Sequence, residues 1–282
     1  MDLSNRALLV DLHISAWPGL KTDQRATVEV QQFNKATKDS GKYQKFLCRA
    51  GGLLTKIHNK GVEVRNLHKT LTAPWEDQGK RVISTDLYIT KYRSAVISAV
   101  SELQGLYPEF NSKYPELVEA DREIHGDMWK LEDYPTVVAS SFDVEMSASP
   151  IPAVKDFRLD MSEELATELQ ESYERDINRK LAAVTKDAWE RLAESTRRLH
   201  SAVSGYGPGK RLFSSLFTNL EDTATVLQGL NLSNNAQLNS LADEVKELVR
   251  GLVVDNLKES PESRTVLSNQ FQSVLDKMNA YI

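Results

Sequence analysis

Between residues 162 and 203 mostly apolar side chains recur at steps of three and four: Leu165, Leu169, Tyr173, Ile177, Leu181, Val184, Ala188, Leu192, Ser195, Leu199 and Ala202. That spacing keeps one face of an α-helix continuously apolar. Ser162 is an N-cap residue type, Glu163 and Glu164 set acid in the first turn where the backbone dipole favours it, and Ser204-Gly205-Tyr206-Gly207-Pro208-Gly209 stops the helix. At 1.5 Å per residue such a helix runs roughly 60 Å, so the rest of the chain has to be arranged along it. The first four steps are all of four residues and a mixture of threes and fours follows, which departs from a strict heptad. The stripe therefore predicts the spine of one helical core rather than a dimerising coiled coil.

The flanking sequence supplies the elements that would cover this spine. Apolar periodicity predicts helices over residues 86–107 and from Pro115 to about Leu131, then over 210–230, 235–254 and 261–282. Nearer the start, 24–36 reads as a helix with little apolar face, and 43–59 as a helix ended by Asn59-Lys60-Gly61. Leu8, Val10, Leu12 and Ile14 alternate with polar residues and predict a strand over 7–16. Alternation over 137–147 and again at Phe157 and Leu159 predicts a hairpin within 137–160, and Thr72–Gly79 is rich in turn formers. The expected fold class is mainly α with a small antiparallel sheet, organised as an N-terminal strand and basic helical segment over 1–70 and a helical domain over 71–282.

Bulk properties exclude several classes. In 282 residues the one cysteine, Cys48, permits no internal disulfide and no cysteine-rich zinc site, which fits a reducing compartment. The opening residues lack the basic and apolar regions of a signal peptide and no window approaches a membrane span, so a cytosolic protein is expected. Net charge is −5, yet it is segregated along the chain. From Lys35 to Lys69 nine Lys/Arg face two acids, and over 115–145 nine acids face two basic residues. Such segregation suits an anionic partner or head-to-tail self-association.

No catalytic constellation accompanies these charges. GYGPGK at 205–210 has Ser204 and Arg211 where a phosphate-binding loop needs glycine and Ser/Thr, and a helix precedes it instead of a strand. Asp121 and His125 stand one helical turn apart, but no third ligand accompanies them, and an exposed i,i+4 pair is the expected reading. His58 and His68 have no serine, cysteine or carboxylate near them in a recognisable triad or dyad. No enzyme activity, metal or cofactor is therefore expected. What remains is the basic run beside Trp75, with Lys80 and Arg81 directly after it. In a nucleic-acid reading Lys45, Arg49, Lys56, Lys80 and Arg81 neutralise phosphates while Trp75 stacks a base. The bland reading makes the lysines a solvated face and Trp75 a loop anchor packed on helices.

Four strings taken in order, APWEDQGKR at 73–81, DYPTVVASSFDVEMSASPIPAVKDFRLD at 133–160, AWERLAESTRRL at 188–199 and RLFSSLFTNLEDTATVLQGLNL at 211–232, resemble a family of uncharacterised bacteriophage and mobile-element proteins, one of the domains of unknown function. The resemblance spans about Thr72 to Leu252. It implies no catalytic residues. It does imply a bacterial host cytoplasm and gene neighbourhoods of DNA metabolism or MoxR-type AAA ATPases. The combined expectation is a non-enzymatic phage protein of DNA replication or recombination that binds single-stranded nucleic acid. The other reading is an adaptor for an AAA ATPase or an inhibitor of a host protein.

Overall fold

A computed structural model describes residues 3–76, 79–152 and 163–282. In chain order the elements are β1 (Ala7–Ser15), β2 (Leu20–Thr22), α1 (Gln24–Phe33), β3 (Gln44–Phe46), α2 (Leu53–Leu71), β4 (Ala73–Pro74), β5 (Arg81–Ser84), α3 (Thr85–Leu87) and α4 (Arg93–His125). They are followed by β6 (Asp143–Pro150), α5 (Glu163–Ser204), α6 (Ser214–Gly229), α7 (Ala236–Val249), α8 (Val254–Glu259) and α9 (Pro261–Met278). The mainly helical class with a small antiparallel sheet is as expected. The strands form one sheet of order β4-β5-β1-β6 and a separate β2-β3 pair. Among the described residues no helix is long and apolar enough to cross a membrane.

The chain divides into two compact units that interleave in sequence, one of residues 1–11, 69–93 and 147–282, the other of 12–68 and 94–146. Residues 1–70 are thus shared between the units, and β1, α2, α4 and β6 contribute to both.

In the first unit α5 runs for 42 residues and packs against α6 and α9. Its burial begins at Ile177 and continues through Leu181, Val184, Ala188, Trp189, Leu192, Ala193, Thr196, Leu199 and Val203. The adjacent pairs at 188–189 and 192–193 widen the stripe because two neighbouring helices have to be served. For the same reason Thr196 and Val203 are buried where Ser195 and Ala202 had been expected, and Leu165 near the start stays exposed. Asn235 caps α7 by accepting from the Leu238 amide at 2.9 Å, and Ser260 with Pro261 starts α9, as the local sequence predicts. The helices expected over 210–230, 235–254 and 261–282 are present with shorter ends. β5, too short to show as a pattern, pairs with β1 from Ala7↔Ser84 to Val10↔Arg81, and with β4 through Ala73↔Val82. The second hairpin strand expected near 157–159 and the cap at Ser162 lie outside the described residues.

The second unit corrects three expectations. The helix placed at 43–59 starts only at Leu53, because Gln44–Phe46 pairs with β2 and both Gly51 and Gly52 adopt positive φ. It then runs through Gly61 to Leu71, since Ile57, Val64 and Leu71 keep its apolar face buried. The helices expected to break at Pro108 are one helix of 33 residues, α4, with Pro108 and Pro115 inside it. Each proline removes a backbone donor. Burial of Leu103, Phe110 and Tyr114 on the same face carries the helix across both. Rings of Trp17, Tyr107, Phe110 and Phe142 interlock here, with Tyr107 and Phe142 stacked at 5.1 Å and Trp17 at 6.3 Å from Phe110.

Candidate anion-binding pocket

A cavity of about 500 Å³ opens in the second unit between the end of β1, the loop after it, α2 and α4. Period two along β1 separates His13 from buried Ile14, and His13 is exposed at the cavity. The loop turns at Gly19, whose φ is +57° and whose carbonyl accepts from the Leu47 amide at 2.8 Å. A side chain cannot replace it without disturbance, because a Cβ there would lie 2.4 Å from Leu54 Cδ2 and 2.9 Å from the Leu47 carbonyl oxygen. On α2, His58, Gly61, Val62 and Arg65 line the cavity together, the three-and-four spacing of one helix face.

Four nitrogen-bearing side chains, Arg49, Arg65, His58 and His13, line this cavity, and among the described residues no carboxylate does. Backbone carbonyls at the end of β1 and in the loop after it hold three of them. Arg65 Nη2 donates to the Ile14 carbonyl at 2.7 Å, and Arg49 Nη2 to that of Pro18 at 3.1 Å. His58 Nε2 lies 2.8 Å from the Trp17 carbonyl and has to be the protonated nitrogen, because a carbonyl only accepts. Arg49 Nη1 also donates to Thr55 Oγ1 at 3.3 Å, and its guanidinium sits 5.8 Å from the Phe46 ring centre. These bonds orient the three side chains and leave the two guanidinium groups without a carboxylate partner. Two polar atoms beside them, Arg49 Nε and the Tyr107 hydroxyl, are buried without a hydrogen-bond partner among the described residues. Burial pushes the Tyr107 pKa up, Asp143 adds to that and Arg65 opposes it, so the phenol keeps its proton. Fixed positive charge without a counter-carboxylate is suited to a phosphate or carboxylate group.

Of the residues expected to bind nucleic acid, Arg49 stands in this cavity and Lys56 is exposed on α2. Lys45 is a correction. Its ammonium is buried at 2.5 Å from both the Met128 carbonyl and Asp133 Oδ2, and 3.4 Å from Asp23 Oδ2. Lys21 reaches the same Asp133 at 3.7 Å. With two carboxylates already on it, Lys45 has no capacity left for a phosphate. Trp75 is a correction too, because it is only 5 % exposed and so offers no open face to a base. It packs in the first unit with Lys180 Nζ 5.7 Å from its ring, which is the loop-anchor reading. Arg81 is spent on structure, donating to Thr72 Oγ1 at 2.6 Å, to the Thr72 carbonyl at 3.0 Å and to that of Lys69 at 3.3 Å. Lys80 is exposed beside it.

Arg65, His13 and the participation of His58 were missed. The signal was present: residues 58, 61, 62 and 65 share a helix face, but it shows only once α2 is continued past Gly61.

Asp121 and His125 are not the exposed pair expected. Asp121 is fully buried and its Oδ2 accepts from the Cys48 amide at 2.6 Å and the Tyr134 hydroxyl at 3.0 Å, while His125 Nε2 lies 3.1 Å from the Phe46 carbonyl. Burial and the nearby Asp121 push the Cys48 thiol up to about 12, which keeps it protonated and a poor nucleophile. The pair therefore ties α4 to the strand that precedes α2. Among the described residues no group of three or more His, Cys, Asp and Glu side chains is placed to hold a metal ion.

Comparison with known proteins adds no neighbour: no family model, curated protein or solved structure matches the chain.

Proposed function

We propose that the chain is a non-enzymatic binding protein that grips the backbone of single-stranded nucleic acid through Arg49, Arg65, His58 and His13, in the setting of phage DNA replication or recombination. The observation that carries this reading is the convergence of these side chains on one cavity with no carboxylate lining it. Guanidinium groups pair bidentately with phosphate, and here their carbonyl partners already fix their orientation, which lowers the entropy lost on binding. Arg49 is retained from the residues that the sequence singled out, while Lys45, Trp75 and Arg81 drop out. The phage setting comes from the resemblance of the four sequence strings. Fluorescence anisotropy with a labelled oligothymidylate at low salt tests the reading. Binding at micromolar protein is expected, and the Arg49→Ala/Arg65→Ala variant should weaken it by on the order of tenfold or more. Absence of binding to the parent protein at low salt removes the proposal.

A second observation favours the adaptor or host-inhibitor reading. A cavity of about 960 Å³ in the same unit is lined by Tyr114, Pro115, Val118, Leu131, Tyr134 and Pro135, and Leu131 and nearby Val137 are 65 % and 62 % exposed. An exposed apolar margin of this kind suits a protein surface. On this reading Leu131→Asp abolishes a stoichiometric complex with an AAA ATPase or host protein that the Arg49→Ala/Arg65→Ala variant still forms.

A further inference from the structure

The first unit holds a second cavity, of about 590 Å³, between α5, the start of α7 and the segment after α9. Its size lies in the range of small-molecule sites. Trp189 on α5 forms part of its wall, and the ring of Tyr281 lies on Trp189 at 4.7 Å between centres and 8° between planes. This parallel stack differs from an ordinary core contact in one respect. Trp189 is 2 % exposed, whereas the ring that covers it is 44 % exposed. Tyr281 lies three residues beyond the end of α9, with its amide donating to the Met278 carbonyl at 2.9 Å. Among the described residues its hydroxyl has no hydrogen-bond partner. A ring so placed is stacked on one side and open to solvent on the other.

We infer that Tyr281 is the resident occupant of a nucleobase site, and that a purine or pyrimidine ring displaces it to stack on Trp189. The polar groups around the stack favour a base over a partner's aromatic side chain. Asn178, exposed at the cavity, makes no side-chain hydrogen bond among the described residues, and its amide can both donate to and accept from a base edge. Lys186, also lining the cavity, is exposed with only a loose 3.7 Å pairing to Glu190, so its ammonium can take a phosphate. A tyrosine ring uses neither group. Thr185 and Ser233, bonded to each other at 2.9 Å, complete the polar side of the cavity. Because base–aromatic stacking is at least as strong as a stacked aromatic pair, an incoming base can compete with Tyr281.

The test is calorimetric titration of AMP, and separately of an oligothymidylate, into the parent chain and Tyr281→Ala, both carrying Arg49→Ala/Arg65→Ala so that the cationic cavity contributes nothing. Removing the resident ring should tighten binding by roughly two- to tenfold, the strength of one aromatic stack, while Tyr281→Phe, which keeps the ring, should match the parent. A gain with AMP assigns a free nucleotide, and a gain with the oligonucleotide alone assigns a base within a strand. Equal or absent binding in the parent and Tyr281→Ala overturns the inference. So does binding of N-acetyltyrosinamide to Tyr281→Ala without binding of AMP or the oligonucleotide, because the site then serves a protein side chain. Circular dichroism of Tyr281→Ala confirms that the helices remain.

Discussion

Lys45 and Arg49 lie four residues apart in the same basic run, and the fold treats them in opposite ways. Lys45 is folded inward onto Asp23 and Asp133, the latter drawn from the acidic run 88 residues further on. Arg49 is turned onto a carbonyl of the loop after β1, in a cavity with Arg65 and no lining acid. One charge is consumed within the protein and the other is presented. A count of like charges along a chain therefore does not measure the field available to a partner. Part of each run cancels against the other, and what remains depends on whether carbonyls or carboxylates hold the cations.

This contrast can be broken most directly at Lys45. Lys45→Ala leaves Asp23 and Asp133 in buried surroundings without their shared cation, so denaturant unfolding should show a loss of about 3–5 kcal/mol. Arg49→Ala should cost no more than about 1.5 kcal/mol, because its partners are a carbonyl and a hydroxyl near solvent. Equal losses would erase the distinction. Gly19→Ala, which changes neither cation, should cost about 1–3 kcal/mol, since it adds a strained φ and a clash with Leu54 and Leu47. It should also weaken anion binding, because the carbonyls of Trp17 and Pro18 that orient His58 and Arg49 move with it.

A smaller effect is expected from pH. The Ala26 amide, and then Lys45 working against the burial of the carboxylate, hold Asp23 below the ordinary carboxylate range. A depressed folded pKa stabilises the fold above the unfolded value near 4, and the contribution fades as pH falls through the folded value. Stability of the parent should therefore decline below about pH 4, and Asp23→Asn should flatten part of that decline. If its acid limb matches the parent's, Asp23 is not held below the ordinary carboxylate range. The smallest changes belong to Lys56→Ala and Lys80→Ala. Both residues are exposed, and each substitution should stay within about 0.5 kcal/mol of the parent in stability.

Much of this fold was legible because it is local. The α5 stripe, the Ser260-Pro261 start of α9, the Asn235 cap and the alternation of β1 are each written within one or two turns of chain. What was hidden depends on distant partners. Pro108 reads as a helix end until Leu103, Phe110 and Tyr114 are seen buried on one face, and Gly61 reads as a stop until the burial of Val64 and Leu71 is known. The pocket was half legible for the same reason. Arg49 was named, while Arg65 required α2 to run on past Gly61, and the burial of Lys45 and Trp75 depends on packing that no spacing rule reports.

On the function proposed above, Arg49 and Arg65 present unneutralised charge to a phosphate backbone. The measurement that tests it most directly is the salt dependence of oligothymidylate affinity for the parent and for Arg49→Ala/Arg65→Ala. Two phosphate contacts on a single strand predict a slope of about −1.4 in log K against log salt, and the double variant should lose most of it along with its affinity. A variant that keeps the parent's slope and affinity would contradict the account, since the binding charge would then lie elsewhere on the molecule.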